Sequence, residues 1–233
     1  MTDRAGRREG ARVPELEAVL LEAKLLVPRG SPDPVSRADL IGKARRSGCR
    51  VVGVTAPAGY GKSTLLAEWA ELEDRHVVWV SLDRLDDDPS ALLSLLATAF
   101  APISGQPDLI AGMRGLSSLS RAAPRLAEAF RNSPVPFVLM LDDLHELRSL
   151  VCHDVLGVAI GGVPEGSQVV ATSRAEQPHV PRLRASGDAV EFGAGDLALD
   201  VAGAEQIFAG AHVDVTHELA MAVTARTEGW PVG

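Results

Sequence analysis

The stretch Ala56-Pro57-Ala58-Gly59-Tyr60-Gly61-Lys62-Ser63-Thr64 constrains this chain more than any other. It follows directly on Arg50–Thr55 (RVVGVT), a short Val-rich run that reads as a strand, and it opens a helical stretch at Ser63–Leu72. A strand, a glycine-rich turn and a helix beginning with Lys-Ser-Thr are the context of a phosphate-binding loop. Gly59 and Gly61 let the backbone turn its N–H groups toward one point, and the helix N-terminus adds the positive end of its dipole. In that reading Ala58, Gly59, Tyr60, Gly61 and Thr64 surround a nucleotide's phosphates. Lys62 reaches the β- and γ-phosphates, and Ser63 offers its hydroxyl to Mg²⁺. The pattern G-x-x-x-x-G-K-[ST] has Ala56 in place of its first glycine, which is compatible only if φ stays negative there. The alternative is an ordinary Gly-rich turn with Lys62 on the surface.

The surrounding pattern alternates strands with helices. His76–Leu82 (HVVWVSL) reads as a second strand, and Pro89–Phe100 as a helix with Leu92, Leu95, Leu96 and Ala99 on one face. Arg121–Asn132 reads as a further helix, and Phe137–Leu141 (FVLML) as a strand, apolar throughout as strands buried on both faces are. Gln168–Thr172 and Ala189–Phe192 complete the set. This alternation predicts an α/β fold: a P-loop NTPase domain over residues 31–195, its parallel sheet sandwiched by helices. Residues 1–30 read as a polar arm with a short helix at Pro14–Ala23. A Pro-rich stretch follows, then a helix capped by Ser36 and running through Ala44. Beyond about residue 195, Ala204–Ala211 and Val215–Thr227 read as helices, the start of a small and incomplete helical domain over 196–233.

A second chemical signal closes the third strand: Leu141-Asp142-Asp143-Leu144-His145-Glu146. Four apolar residues and two acids fit the Walker B pattern. Asp142 is the candidate Mg²⁺ ligand, since a hard cation prefers carboxylate oxygen. Asp143 is the candidate general base for an attacking water. The interval from Lys62 to Asp142 holds another strand, so the two motifs need not lie on sequential strands. The fourth strand runs out through Thr172-Ser173-Arg174. Ligands gather at the carboxyl ends of strands in open α/β sheets, so Arg174 could pair with a γ-phosphate there, or be an ordinary loop arginine.

Composition removes several classes of function. With 23 Lys and Arg against 31 Asp and Glu the net charge is −8, which is the wrong sign for a surface that neutralises nucleic-acid phosphates. Arg4, Arg7, Arg8 and Arg12 form a basic cluster, but Asp3 and Glu9 dilute it. One Tyr and five Phe offer no stacking platform for single strands. The longest apolar run, Val135–Leu141, is too short to cross a bilayer, and no secretory signal is visible. Two cysteines, Cys49 and Cys152, make no disulfide framework and no metal-ligand spacing. A reduced, cytoplasmic protein without membrane or direct nucleic-acid contacts is expected.

Taken together, these residues resemble the STAND signal-transduction ATPases, relatives of the AAA+ ATPases. More narrowly, they look like the nucleotide-binding part of the large ATP-binding LuxR-type transcriptional regulators, the group that contains the bacterial maltose regulator. The loop APAGYGKST is similar to that group's P-loop, Ala at the first position included. LDDLH at 141–145 is similar to its Walker B segment, and TSR at 172–174 to its sensor strand end. SLDRLDDDP at 81–89 resembles its acidic loop. EGWPVG at 228–233 resembles its Gly-x-Pro motif, which implies that Pro231 lies against adenine. Val35-Ser36-Arg37 corresponds loosely to its N-terminal arm and makes Arg37 a candidate contact. The resemblance covers about residues 24–233. Members of the group continue into repeats and a helix-turn-helix, so any DNA-binding role would belong to sequence beyond Gly233, and a fragment or a truncated product is expected.

The resemblance implies a nucleotide switch: ATP with Mg²⁺ held between sheet and helical domain, slow hydrolysis to ADP, and self-association in the ATP state. The residues alone leave two alternatives. One is a metabolic P-loop kinase, for which no acceptor pocket is recognisable; the other is a truncated interaction protein without activity.

Overall fold

The computed structural model describes residues 18–30, 35–114, 119–178, 180–185 and 187–232. Five apolar runs form strands: Val51–Thr55 (β1), His76–Ser81 (β2), Phe137–Asp142 (β3), Gln168–Ser173 (β4) and Ala189–Phe192 (β5). All pair in parallel, in the order β2-β3-β4-β1-β5. Parallel neighbours need a crossover of a dozen or more residues, and helices supply it. Every residue of β3 and β4 is buried, as expected of central strands covered on both faces.

The period-2 alternation of β3 divides the core. Phe137, Leu139 and Leu141 face one layer with Leu92, Leu96 and Phe100 of Pro89–Phe100 (α4), Leu126 and Phe130 of Leu119–Arg131 (α6), and Leu156 of Leu150–Ile160 (α7). Phe100 meets Phe130 and Phe137 edge to face, with ring centroids 4.7 and 5.0 Å apart, a favoured arrangement of aromatic quadrupoles. Val138 and Met140 face the other layer, with Leu40 and Ile41 of Ala38–Arg46 (α2) and Leu65, Leu66 and Trp69 of Lys62–Leu72 (α3). The sheet is thus sandwiched by helices, as the sequence predicts.

Boundaries mostly agree within two residues, and the differences have local causes. β3 and β4 each extend one residue further, through Asp142 and Ser173, because β2 and β1 pair with those positions. The helix of α10 (Val201–Gly210) starts three residues earlier than expected, where the Asp200 carboxylate caps it by accepting from Gly203 N–H at 2.8 Å. Thr216 does the same for His217–Thr227 (α11). Ser36 is not the N-cap of α2; Arg37 is. The Ser36 hydroxyl accepts instead from Ala38 N–H at 3.3 Å and donates to Glu68 of α3.

α7 has no legible signature in the sequence. Its run LVCHDVLGVAI is apolar almost all round, so no polar stripe marks a helical period. Leu109–Arg114 (α5), Val180–Ala185 (α8) and Ala194–Leu197 (α9) were missed as well, each under two turns. The helix expected at Pro14–Ala23 falls partly outside the described residues; what is described is a helix over 18–25 (α1). Lys24 on α1 pairs with Asp86 and Asp83 at 2.8 and 2.9 Å, which ties the arm to the loop after β2. Among the described residues no helix is long and apolar enough to cross a membrane.

Candidate nucleotide-binding site

β1 delivers the chain into the glycine-rich loop at the carboxyl edge of the sheet. The Ala56 N–H donates to Ser173 O at 3.1 Å, so the loop's first residue is stitched to the end of β4. Ala56 is not among the residues with positive φ, and the position therefore tolerates its methyl group. Gly59 (φ 82°) and Gly61 (φ 73°) do adopt the left-handed region, with Gly61 as the N-cap of α3.

Lys62 is not a surface residue; only 7% of it is exposed. Its ammonium donates to Ala56 O at 2.7 Å and Pro57 O at 2.8 Å, folded back onto the loop's own carbonyls. Burial pushes its pKa down, the Asp143 and Asp142 carboxylates oppose that, and the Arg174 guanidinium adds to it. The four charges of Lys62, Asp142, Asp143 and Arg174 thus share one field, although they come from α3, β3 and the end of β4.

Strand order explains the gathering. β4 lies between β1 and β3, with Thr55 opposite Ser173 and Leu141 opposite Ala171. The acids at the end of β3 therefore meet β4, not β1. Thr172, fully buried, bridges them: its hydroxyl donates to Asp142 Oδ1 at 2.5 Å and accepts from Asp143 N–H at 3.0 Å. Asp143 itself has φ 59°, a left-handed conformation rare outside glycine, Asn and Asp. Burial, then the neighbouring Asp142, raises its carboxyl above the ordinary range, while His145, Arg174 and Lys62 pull it back. His145 Nδ1 lies 3.7 Å from Asp143 Oδ1 and Nε2 lies 3.5 Å from Glu146 Oε1. Neither nitrogen has a hydrogen-bond partner among the described residues.

Arg37 and Pro231 stand apart from this cluster. The Arg37 backbone N–H donates to Glu68, and its Nη2 donates to Leu197 O at 2.5 Å. Burial lowers its pKa, with Asp200 and Glu68 opposing. It joins the arm to α3 and to the segment leading into α10. Pro231 borders an apolar pocket with Leu199, Ile207, Phe208 and Val223, between α10 and α11. Its neighbour Trp230 does reach the loop, donating from Nε1 to Ala58 O at 3.0 Å.

Sequence reasoning passed over Thr172, Trp230 and Glu68. In the sequence Thr172 reads only as part of a strand end and Trp230 only as the middle of Gly-Trp-Pro; their contacts are made across sequence separations that local pattern does not encode. In the acidic loop each carboxylate has a structural partner. Asp86 pairs with Lys24, Asp87 accepts from Arg148 and Ser149 N–H ahead of α7, and Asp88 caps α4.

Among the described residues no group of three or more His, Cys, Asp and Glu is placed to hold a metal ion alone. Mg²⁺ commonly takes one or two protein oxygens and completes its shell with phosphate and water. Ser63 and Asp142 are of the right donor type.

No protein-family model matches the chain. The HTH-type transcriptional regulator MalT of Cronobacter sakazakii is 30% identical over 196 residues, which is 82% of this chain and 22% of that protein. MalT of Klebsiella pneumoniae is equally similar over the same share. The chain thus spans about a fifth of the length of these curated relatives. Among solved structures, a Walker-type ATPase of Pyrococcus abyssi superposes with a TM-score of 0.54 at 14% identity, covering 87% of this chain and 67% of its own. Cdc6p of Pyrobaculum aerophilum gives 0.51 at 14%, covering 79% and 50%. The chain has the fold of the P-loop ATPases, and its sequence is similar to a region of the MalT-type transcriptional regulators.

Proposed function

We propose that this chain is an ATP-binding switch module of a MalT-like transcriptional regulator, of the STAND and LuxR-type kind, acting in the cytoplasm. One observation carries the reading: the buried Lys62 ammonium shares a sheet edge and an electrostatic field with Asp142, Asp143 and Arg174. A buried cation whose hydrogen bonds among the described residues go to the Ala56 and Pro57 carbonyls can exchange them for phosphate oxygens.

In this reading Ala58, Gly59, Tyr60, Gly61 and Thr64 enclose the phosphates, and Lys62 moves from the Ala56 and Pro57 carbonyls to the β- and γ-oxygens. Ser63 and Asp142 would hold Mg²⁺, which would supply positive charge against the phosphates. Asp143 takes a proton from water as the water oxygen bonds to the γ-phosphorus. The bond from that phosphorus to the β–γ bridging oxygen breaks, and ADP and phosphate remain. Arg174 pairs with the γ-phosphate and loses that partner on hydrolysis. Residues 31–195 form the ATPase unit and 196–233 the start of a helical unit, with Pro231 and Arg37 toward the base. Loss of the γ-phosphate then changes which contacts between the units are favoured, and with them self-association.

Calorimetric titration with ATP and ADP, with and without Mg²⁺, tests this alongside phosphate release. Expected are tight binding by the wild type, slow turnover, and loss of binding in Lys62→Ala. If no nucleotide binds, or Lys62→Ala binds as the wild type does, the reading fails. Turnover stimulated by a small acceptor would point to a kinase instead.

A further inference from the structure

The C-terminal turn brings an indole onto the phosphate loop from 172 residues away. α11 ends in two left-handed residues, Glu228 (φ 53°) and Gly229 (φ 75°), which reverse the chain. The turn is anchored where Gly229 O accepts from Leu199 N–H at 2.8 Å, and a Cβ on Gly229 would lie 2.6 Å from Leu199 O. Trp230 is thereby aimed at the loop. Its Nε1–H donates to Ala58 O at 3.0 Å. A Cβ on Gly59 would come within 2.6 Å of Nε1 and 3.1 Å of Cε2, so the indole edge lies directly against the glycine backbone. Trp69 and Trp79 are buried core residues, whereas Trp230 stays 41% exposed while its indole N–H makes this contact.

The peptide that Trp230 grips joins Ala58 to Gly59. A trans peptide is planar, so its C=O and N–H point in opposite directions, and none of the described peptide bonds is cis. Holding the Ala58 oxygen toward the indole therefore turns the Gly59 N–H away from it. Glycine accepts either sign of φ at little cost. Without the indole this peptide is free to rotate and aim its oxygen where an anion must sit.

We propose that Trp230 is a positioning residue for phosphate binding: its indole N–H fixes the Ala58–Gly59 peptide so that the Gly59 amide faces the nucleotide's phosphates. The inference rests on the nucleotide reading above and adds to it a residue that acts through the loop backbone and not on the base. It also makes the turn after α11 part of the phosphate site, so that displacing this turn weakens phosphate binding directly.

The test uses the full chain as wild type, Trp230→Phe, and a form with Trp230 replaced by benzothienylalanine, which keeps the bicyclic shape and lacks the N–H. Each is titrated with ATP, ADP and inorganic tripolyphosphate, and the melting temperature of each ligand-free protein is recorded. Removing one pre-organising hydrogen bond is expected to weaken all three ligands by a similar factor, about three- to tenfold. Ligand-free melting temperatures should stay close to the wild type. Binding unchanged in both variants overturns the proposal. So does weakening of ATP and ADP with tripolyphosphate unaffected, which would mean that the ring contacts the base. A loss seen only in Trp230→Phe, with a lowered melting temperature, overturns it in favour of packing. Wild-type protein that binds none of the ligands refutes the nucleotide reading itself. Tight wild-type binding with unaffected variants refutes only the role of Trp230.

Discussion

Replacing Thr172 by valine tests whether the acids at the end of β3 are held by β4. The side chain is fully buried, and its hydroxyl makes two bonds at once, to Asp142 Oδ1 at 2.5 Å and from Asp143 N–H at 3.0 Å. Valine keeps the shape, so packing changes little and the loss is polar. A hydrogen bond to a charged group contributes about 1.5–3 kcal/mol net, and a stranded buried N–H costs about 1–3 kcal/mol. Asp143 is half-exposed, so water can reach its amide, and the second figure belongs at the low end. Together they give a destabilisation of about 3 kcal/mol, a large part of the typical 5–15 kcal/mol of a domain. In urea, with a slope near about 3 kcal/mol per molar, the midpoint should fall by about 1 M. Thr172→Ser, which keeps the hydroxyl, should lose about 1 kcal/mol or less. Mg²⁺-dependent ATP affinity should fall in Thr172→Val more than affinity measured without Mg²⁺, because Asp142 loses the group that orients it. A valine variant within about 0.5 kcal/mol of wild type would refute the reasoning, as would a serine variant equally damaged.

Glu73 makes a pH-dependent contribution. Burial alone would raise its carboxyl, but hydrogen bonds from Arg75 and Trp69 overcome that and hold it at about 2, against an ordinary 4.5. A depressed carboxyl stabilises the fold above its unfolded value and loses that effect as pH falls. Wild type should therefore exceed Glu73→Gln at neutral pH by on the order of 1–2 kcal/mol after solvent screening, with the difference closing as pH falls from 4.5 to 2 in denaturant titrations. Lys24→Ala leaves the buried Asp86 without its cation and should cost about 1–2 kcal/mol, since the lysine is partly exposed. Hydrogen exchange should show protection lost in α1 while ATP affinity is retained. Asp143→Asn should abolish phosphate release and change ATP affinity by less than about threefold, which single-turnover and binding measurements would separate. Equal loss of both would remove Asp143 from its role as base.

Elements with a strong local signature were legible before the structure. The β3 run FVLML reads as a strand covered on both faces, and the spacing of leucines in Pro89–Phe100 matches α4 to the residue. α7 was not legible, because Cys152, His153, Val155 and Leu156 are buried on a helix whose exposed side still carries Leu150, Val151 and Val158. Periodicity needs contrast between faces, and this helix has little. Lys62, Asp142, Asp143 and Arg174 stand out in the sequence as candidates because each lies beside the end of a strand or the start of a helix; that their charges lie near one another is a tertiary finding. Thr172 was not, since a threonine within QVVAT reads as strand propensity until its neighbour across the sheet is known.

What the sequence by itself determined is local: where strands and helices alternate, where glycine allows the left-handed turns of the loop after β1, and that Ala56 could stand in for a glycine whose freedom the turn does not need. Tertiary structure alone decided the neighbours. Parallel strands pair across crossovers, and nothing in a strand's own residues says which other strand lies beside it. Inserting β4 between β1 and β3 put the Thr172 hydroxyl against the acids and the Arg174 charge near Lys62. The turn at Glu228 and Gly229 then carried Trp230 back to Ala58. Both results depend on long-range packing, whose energy is shared among residues that are remote in the chain.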